Sequence, residues 1–598
     1  MTAFSMQDNE LWTRHLLGLL TQVAAAVYVV SKISWPDRRL RAAMLLMFSS
    51  GCFKYVERTW CLYKASPTSL RESSLAFLRT IVGSLASRGG RYRKGYILDE
   101  RFSDMLDDGR LKYAHAFEQA SSSAITLVSD TPINDTLSVE ASQGLVVQKL
   151  QTLKSNKDRY RVYNYINTRL ILVYERLYTK ALVRLISMQR LDMTDIFGSC
   201  EALAECNFCF CYFLICNILL WIAFLVYALI FLFPFLSTLV ALMLFKVVEK
   251  GELYSRADVT VSYILLIGAL VLEVASLFIS IQSYVSGMHA IHRATKQWSE
   301  MLGQYNMIKS FDRVHENNGP KGITSFVPRW IGKHIDDKTS HISISEDLKK
   351  FVLDKLLDFG TREEDWNFAS MRGQLALRNW TTSHEDSGIV KSDSNLHQSI
   401  NDVDFPTSVL IWHKATDMLY YQEDINNISD HKMKKMSREL SNYIMYLVFK
   451  CGAMLTTNTE LKHNITRESI ERIFGVRNSI LEKEAVMLVF EFHQGLHRRS
   501  YGASHGDSQP EAQMQLLENT MKSVLPRAYG VAQELIDIHK EAACWDLVAA
   551  VWVEILYYIA PRCGGAFHSQ HLASGGEFIT HVLLLMQLLG PFLPPPSS

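Results

Sequence analysis

From Cys206 to Phe245 the chain carries no charged residue. The stretch "CNFCFCYFLICNILLWIAFLVYALIFLFPFLSTLVALMLF" is about twice the roughly 20 residues a helix needs to cross a bilayer. A run of that length is more stable among lipid tails than in water. Pro234 interrupts it, either folding it back as a hairpin of two passes or kinking one long tilted helix. A second run, Val259 to Met288, holds one charge, Glu273, and also suits a crossing helix. Nearer the start, His15 to Ile33 is just long enough, whereas Ala42 to Phe53 is short and runs into Lys54, Glu57 and Arg58. That segment either completes a crossing through Tyr63, with its cations paired or snorkelling, or lies along the interface.

Average composition conceals this pattern. The hydrophobic fraction is 48% and mean hydropathy +0.03, because the apolar residues are concentrated in a few runs. With 62 basic against 61 acidic residues, the net charge of +1 produces no field that would draw nucleic acid, and no nucleic-acid partner is expected. Of 10 cysteines, Cys200, Cys206, Cys209, Cys211 and Cys216 crowd into or beside the first apolar run, and only Cys451, Cys544 and Cys563 fall in the C-terminal half. That is no disulfide framework, and it suggests a reducing compartment for the C-terminal part. Sequons at Asn379, Asn427 and Asn464 weigh little against this.

Basic residues in short loops mark the cytoplasmic side. Lys32, Arg38, Arg39 and Arg41 mark one such loop, and His289, His292, Arg293 and Lys296 favour a cytoplasmic exit after the last run. Both hold together if Pro234 marks a hairpin and the second segment spans, giving about four crossings. The opening "MTAFSMQDNELW" lacks the basic region and cleavage site of a signal peptide, so the first helix is expected to remain as an anchor.

The expected fold class is mainly α, with multi-pass helices ahead of a large α-helical C-terminal domain. Residues 1–63 hold the first pair of membrane helices, 64–205 a polar inter-helix region, 206–288 the later membrane helices, 289–342 a linker and 343–598 the helical domain. Helical spacing starts at Asn167 in the polar region. In the C-terminal domain, starts are expected at Ser343 with an S-x-x-E capping box, near Asp404, near Ser437, at Thr466, near Ser479 and at Pro510.

Several long strings resemble a plant family, expanded in grasses, that is catalogued by domains of unknown function 4220 and 594. For the first domain they are "TAFSMQDNELWTRHLLGLLTQVAAAVYV", "KYVERTWCLYKASPTSLR" and "YERLYTKA". For the second they are "VLIWHKATDMLYY", "LSNYIMYLVF", "WVEILYYIAPRC" and "HSQHLASGGEFITHVLLLMQLLG". The resemblance implies a multi-pass plant membrane protein with a helical C-terminal domain, and it implies no activity. Members usually carry further hydrophobic helices upstream of "TAFSMQDNELW", so the chain is expected to be shortened at its start.

Candidate chemistry must compete with structural roles. An ionisable residue within a crossing helix is costly unless paired or facing water. Glu273 therefore marks either an ion pathway or, preferably, a helix contact with Lys54 or Arg58. His568, His571, Glu577 and His581 form the densest set of metal-type ligands, with Glu577 and His581 one helical turn apart. Ser574 and Glu577 also fit a capping box ahead of a helix stopped by Gly590 and Pro591, and no H-E-x-x-H occurs, so capping is preferred and no cofactor is expected. His413 and Asp417 are one turn apart and could orient an imidazole, but no nucleophile accompanies them. Beside the apolar Val409, Trp412 and Leu419, a hydrogen-bonded core histidine is the preferred reading.

Gly502, Ser504 and Gly506 match G-x-S-x-G without the strand a nucleophile elbow needs. The C-x-x-C spacing of Cys206 and Cys209, with Cys211 beyond, lies inside an apolar run and reads as small hydrophobes, S-palmitoylation of Cys200 or Cys206 being a lesser option. Arg88, Arg91, Arg93 and Lys94 read as a solvated loop with some capacity for anionic headgroups or RNA. No nucleotide fingerprint is present. The sequence thus points to a non-enzymatic membrane protein whose C-terminal domain binds other proteins. The rivals are a transporter or channel component built on Glu273 and a metal-dependent enzyme using His568, His571 and His581.

Overall fold

The structure is a computed structural model. It describes residues 6–32, 37–66, 68–70, 150–151, 153–155, 159–178, 232–247, 255–292, 300–308, 340–361, 368–383, 394–422, 428–474, 481–503, 523–541, 544–573 and 576–589. The chain forms two compact units. One comprises Met1–Ser129 and Arg161–Gln297, the other Asp130–Tyr160 and Trp298–Ser598.

The first unit is helical: α1 (Met6–Glu10), α2 (Trp12–Lys32), α3 (Arg38–Lys64), α4 (Arg161–Tyr178), α5 (Leu232–Val247) and α6 (Arg256–His292). Asp37 starts α3 by accepting the Arg39 N–H at 2.8 Å, an N-cap that satisfies an otherwise orphaned donor. α3 packs beside α2, with the Trp12 ring edge-on to Tyr63 at 4.9 Å. It runs unbroken for 27 residues, well past the short apolar stretch that the sequence offered. Pro234 lies in α5, near the first residue described for it; its carbonyl accepts the hydroxyls of Ser237 and Thr238.

Two helices among the described residues, Trp12–Lys32 and Arg256–Phe278, are long and apolar enough to cross a membrane. Both turn large apolar side chains outward. Leu17, Leu20 and Val29 are exposed on α2, and Leu265, Leu272 and Phe278 on α6. Such faces suit lipid and not water.

The second unit has a two-stranded antiparallel sheet, β1 (Met301–Gln304) with β2 (Ser340–Ser343), pairing Met301 with Ser343 and Gln304 with Ser340. β1 lies in the stretch expected to be a linker, 289–342, and β2 runs from its end into Ser343, the first residue of the expected helical domain. They are held to the following helices, because Tyr305 N–H donates to Asn442 O at 3.1 Å. A Cβ on Gly303 would come within 2.3 Å of the Tyr446 ring, so only glycine lets the strand lie this close.

Eleven helices follow among the described residues: α7 (Glu346–Gly360), α8 (Gln374–Ser383), α9 (Asn395–Asn401), α10 (Phe405–Gln422), α11 (Ile428–Phe449), α12 (Thr457–Phe474), α13 (Glu482–Ala503), α14 (Val524–Glu541), α15 (Trp545–Ile559), α16 (Gly565–Ala573) and α17 (Phe578–Leu589). α10 and α15 form the centre and are buried on every side. α15 with α16 is apolar enough to pass as a broken span bent by 98°. Its lining is protein, however, and a helix hydrophobic all round is also what a core helix looks like. Indole donors in this core find acceptors, Trp412 on Ser399 at 3.0 Å and Trp552 on Thr416 at 3.1 Å.

The helix starts correct the sequence in detail. The cap of α7 is Ser345, accepting Leu348 N–H at 3.2 Å, while Ser343 ends β2. Asp404 does precede α10 and accepts the Thr407 hydroxyl at 2.8 Å. Ser437 and Thr466 lie inside α11 and α12, and Thr466 donates back to Lys462 O at 2.7 Å as mid-helix threonines do. Ser479 and Pro510 lie outside the described residues.

Carboxylates from late helices cap earlier ones. Glu554 on α15, fully buried, accepts the N–H groups of Gly373 at 2.7 Å, Leu375 at 3.1 Å and Ala376 at 2.7 Å. Gly373 takes φ +121 to present its N–H. Glu534 on α14 does the same for α9, accepting Asn395 N–H at 2.8 Å and Leu396 N–H at 3.1 Å. A carboxylate at a helix N-terminus satisfies orphaned donors and opposes the helix dipole. Glu554→Ala is expected to destabilise this unit by about 3 kcal/mol or more, as three buried donors lose their acceptor together. Denaturant unfolding of the detergent-solubilised chain, followed by tryptophan fluorescence, measures it; a loss below about 1 kcal/mol would mean water replaces the carboxylate.

Candidate functional site

In the first unit, Glu273 and Lys54 form an ion pair between α6 and α3. The Glu273 side chain is 9% exposed and that of Lys54 38%. Arg58, one turn further along α3, is exposed. Of the two cations considered for Glu273, the structure brings Lys54 to it. A charge pair in apolar surroundings is neutral as a unit and costs less than either charge alone.

In the second unit, the polar residues of α10 converge on Asp417, which is 1% exposed. Its carboxylate accepts Asn306 Nδ2 at 3.1 Å and Lys414 Nζ at 3.2 Å, with Arg438 Nε 4.0 Å away. Arg438 also pairs with Glu482 and donates to the Tyr421 hydroxyl at 2.8 Å. Asn306 Nδ2 lies 3.2 Å from Glu482 Oε1 and closes the circuit. Two cations, Lys414 and Arg438, face two anions, Asp417 and Glu482. Burial alone would raise the Asp417 carboxyl, but the neighbouring positive charges hold it below its ordinary value. Burial lowers Lys414 against the pull of Asp417.

His413 belongs to the same cluster. Its Nδ1 is 2.8 Å from Ser441 Oγ and its Nε2 3.5 Å from Asp417 Oδ2. The sequence showed no nucleophile for this pair, and the structure supplies one in Ser441 on α11. The constellation resembles a Ser-His-Asp triad in membership, yet Ser441, His413 and Asp417 are each at most 1% exposed. The Ser441 hydroxyl is thus closed off from solvent in this structure, and Asp417 is committed to Lys414 and Arg438 rather than to orienting the ring. Burial lowers His413 to about 3, which keeps the imidazole neutral.

The metal-type residues near the C-terminal end are arranged otherwise than their spacing suggested. His568 Nε2 lies 3.0 Å from Ala560 O and Nδ1 3.1 Å from Thr580 Oγ1. A carbonyl only accepts, so Nε2 carries the proton and Nδ1 accepts the threonine hydroxyl. Both nitrogens are thereby used, and burial lowers the ring to about 4. The His571 ring lies tilted against Phe567 at 4.3 Å, and His581 is buried beside Phe578. Among the described residues no three His, Cys, Asp or Glu side chains converge as metal ligands. The capping box fares differently too: Glu577 immediately precedes α17, its carbonyl accepting Thr580 N–H at 2.9 Å, and Ser574 lies outside the described residues.

Glu577 faces β1 and α11. The Tyr446 hydroxyl lies 3.4 Å from its Oε1 and His341 Nε2 3.6 Å away, while Tyr443, whose hydroxyl accepts Ile579 N–H at 2.9 Å, adjoins it. Burial raises this carboxyl to about 7, against the pull of Tyr443, Tyr446 and the Gly303 N–H.

Of the remaining motifs, Gly502 stands in the last turn of α13, a helix, while Ser504 and Gly506 lie outside the described residues. So do Cys200, Cys206, Cys209, Cys211, Arg88, Arg91, Arg93 and Lys94. Asn306, Ser441, Arg438, Glu482 and Glu554 were not singled out by the sequence. A lone glutamate in "WDLVAAVWVEILYYI" was the readable signal for Glu554; Asn306 offered none, as its partner is 111 residues away.

The family model described as Domain of unknown function (DUF4220) matches residues 1–311, more than half of the chain. The chain belongs to the DUF4220 family. A second model, Protein of unknown function, DUF594, matches residues 537–590. No curated protein and no solved structure matches the chain. The Asp417 network begins in the DUF4220 match with Asn306 and continues through α10, α11 and α13, which neither model covers. Glu554 and Glu577, from the DUF594 match, reach back to Gly373 and Tyr446. Residues 300–308 of the first match, the described part of the DUF594 segment and the helices between them therefore belong to the second unit.

Glu273→Gln is expected to leave membrane insertion unchanged and to weaken the α3–α6 contact, because Lys54 then lacks its counter-charge. Adding Lys54→Met should restore thermal stability in detergent toward wild type; equal stability in all three proteins would show the pair contributes nothing. Stability should also follow pH. His413, His493 and His568 are held neutral, at about 3, 4 and 4 against an ordinary 6.5. Their unfolded forms bind protons first, so stability falls as pH drops from 6.5 towards 4. Glu577 has the opposite sign. Its folded form binds the proton first, so its contribution, full below 4.5, is lost as pH rises through about 7. Glu577→Gln is expected to remove that alkaline loss and leave the acid decline in place, read from melting temperatures between pH 4 and 8.

Proposed function

We propose that this DUF4220 protein is a non-enzymatic, membrane-anchored interaction protein, with membrane helices as its anchor and the C-terminal helical unit as the part that binds other proteins. The observation that carries this reading is the closed, charge-balanced network at Asp417. The groups in the C-terminal unit that most resemble catalytic machinery neutralise one another away from solvent. A rigid interior of that kind suits a recognition module, whose work is done by its surface. Exposed apolar side chains such as Leu461 and Ile465, one turn apart on α12, offer area that a partner could cover.

The Lys54–Glu273 pair supports a helix contact over an ion pathway, since the carboxylate is already neutralised. A multi-pass arrangement is supported by the outward apolar faces of α2 and α6. A cytoplasmic C-terminal unit is supported by the unbridged Cys451 and Cys563 and by the basic residues after α6. Tagged full-length protein, cross-linked in its own membranes and purified in detergent, is expected to carry a reproducible set of partners whose cross-links map to residues 298–598. Solute flux through reconstituted protein that Glu273→Gln abolishes, with no cross-links to that region, would overturn the proposal in favour of a transporter.

A further inference from the structure

A clasp inside the C-terminal unit restricts how the chain threads the bilayer. The unit includes residues 130–160, which precede α4, α5 and α6 in the chain. Leu150 and Leu153 are buried in it. Lys154 Nζ pairs with Asp358 at 2.5 Å, and Arg159 Nε with Asp354 at 2.9 Å. The Tyr160 hydroxyl donates to Asp354 at 3.0 Å, and Lys350 lies over the Tyr160 ring at 5.4 Å. All three residues on the far side, Lys350, Asp354 and Asp358, belong to α7, well after the last apolar run.

Two pieces of chain in such contact occupy one compartment, because polar pairs of this kind do not form across hydrocarbon. The chain leaves the unit at Tyr160 and re-enters at Trp298, so it must cross the membrane an even number of times between them. α6 accounts for one crossing. α4 carries Arg161, Arg169 and Arg176 and is not apolar enough to be another. The charge-free run from Cys206 to Phe245, which takes in most of α5, must then supply an odd number.

We infer that this run crosses once, with Pro234 inside a single traverse, and that residues 150–160 and the whole C-terminal unit face the same side. The two-pass hairpin at Pro234 is thereby excluded, since it would give three crossings and pull Lys154 and Arg159 away from Asp358 and Asp354. The inference rests on the membrane reading above, and it is independent of whether α3 crosses, because α3 precedes the clasp.

The test uses the full-length chain in sealed vesicles with a membrane-impermeant maleimide. The exposed positions Gln151→Cys, Ser255→Cys and Glu468→Cys are introduced singly, and labelling of the unsubstituted chain is subtracted. Gln151→Cys and Glu468→Cys are expected to label from the same side and Ser255→Cys only from the other. Labelling of Gln151→Cys and Glu468→Cys from opposite sides overturns the inference, as does labelling of all three from one side. A carbonate wash of the same vesicles separates this failure from that of the membrane reading. Protein that stays in the pellet with the wrong labelling pattern sinks the single crossing, whereas protein released by carbonate sinks the anchor itself. Charge reversal at the clasp adds a readout: Asp354→Arg is expected to increase proteolysis near Arg159, and Arg159→Asp in the same chain to reduce it again.

Discussion

An ionised carboxylate in a water-free interior must be given as many partners as water would have supplied. Asp417 imposes that condition on the C-terminal unit. Lys414 comes from its own helix, Arg438 from the next one, and Asn306 from the end of the β1 segment, while Glu482 neutralises the remaining cation. Four segments must be in place before any of these charges is satisfied. A network of this sort adds little net stability over an apolar core, but it penalises every packing that separates its members. Register between α10, α11, α13 and β1 is what it specifies.

The same condition governs the helix ends. Glu554 and Glu534 serve donors lying 181 and 139 residues earlier in the chain. Tyr443 and Tyr446 share their hydroxyls with the start of α17 and with Glu577. The segment matched by DUF594 is thus bound into the unit through specific polar contacts as well as through apolar area. It reads as the closing layer of a larger core. The β1–β2 sheet, at the opposite end of the unit's sequence, is gripped between Asn442 and the Tyr446 ring.

Much of the helical architecture was legible because periodicity and apolar run length are local properties. Asp404 before α10 was read correctly since its cap is made within the next turn. Ser437 and Thr466 misled because a serine or threonine suits a helix interior as well as a cap; Thr466 spends its hydroxyl on the carbonyl of the preceding turn. The strands were missed altogether, being four residues each and separated by a long polar stretch. The Lys54–Glu273 contact was legible as a lone charge in an apolar run needing a counter-charge, whereas the choice between Lys54 and Arg58 was a matter of helix rotation. The histidines near the C-terminal end looked like ligands by spacing, and only the carbonyl of Ala560 and the hydroxyl of Thr580 showed His568 to be fully used.

By itself the sequence determined that helices would dominate, that some would be long and apolar enough to cross a membrane, and to which family the chain belongs. Those outcomes depend on side-chain character summed over neighbouring residues, which the order of residues states directly. Tertiary structure alone decided which carboxylates are satisfied, that Ser441 lies beside His413, and that residues 150–160 join α7. Most of these contacts join separate elements, and several span over a hundred residues. The energy of a buried charge depends on where its partners stand in space, and that is settled only when the separate segments have packed together.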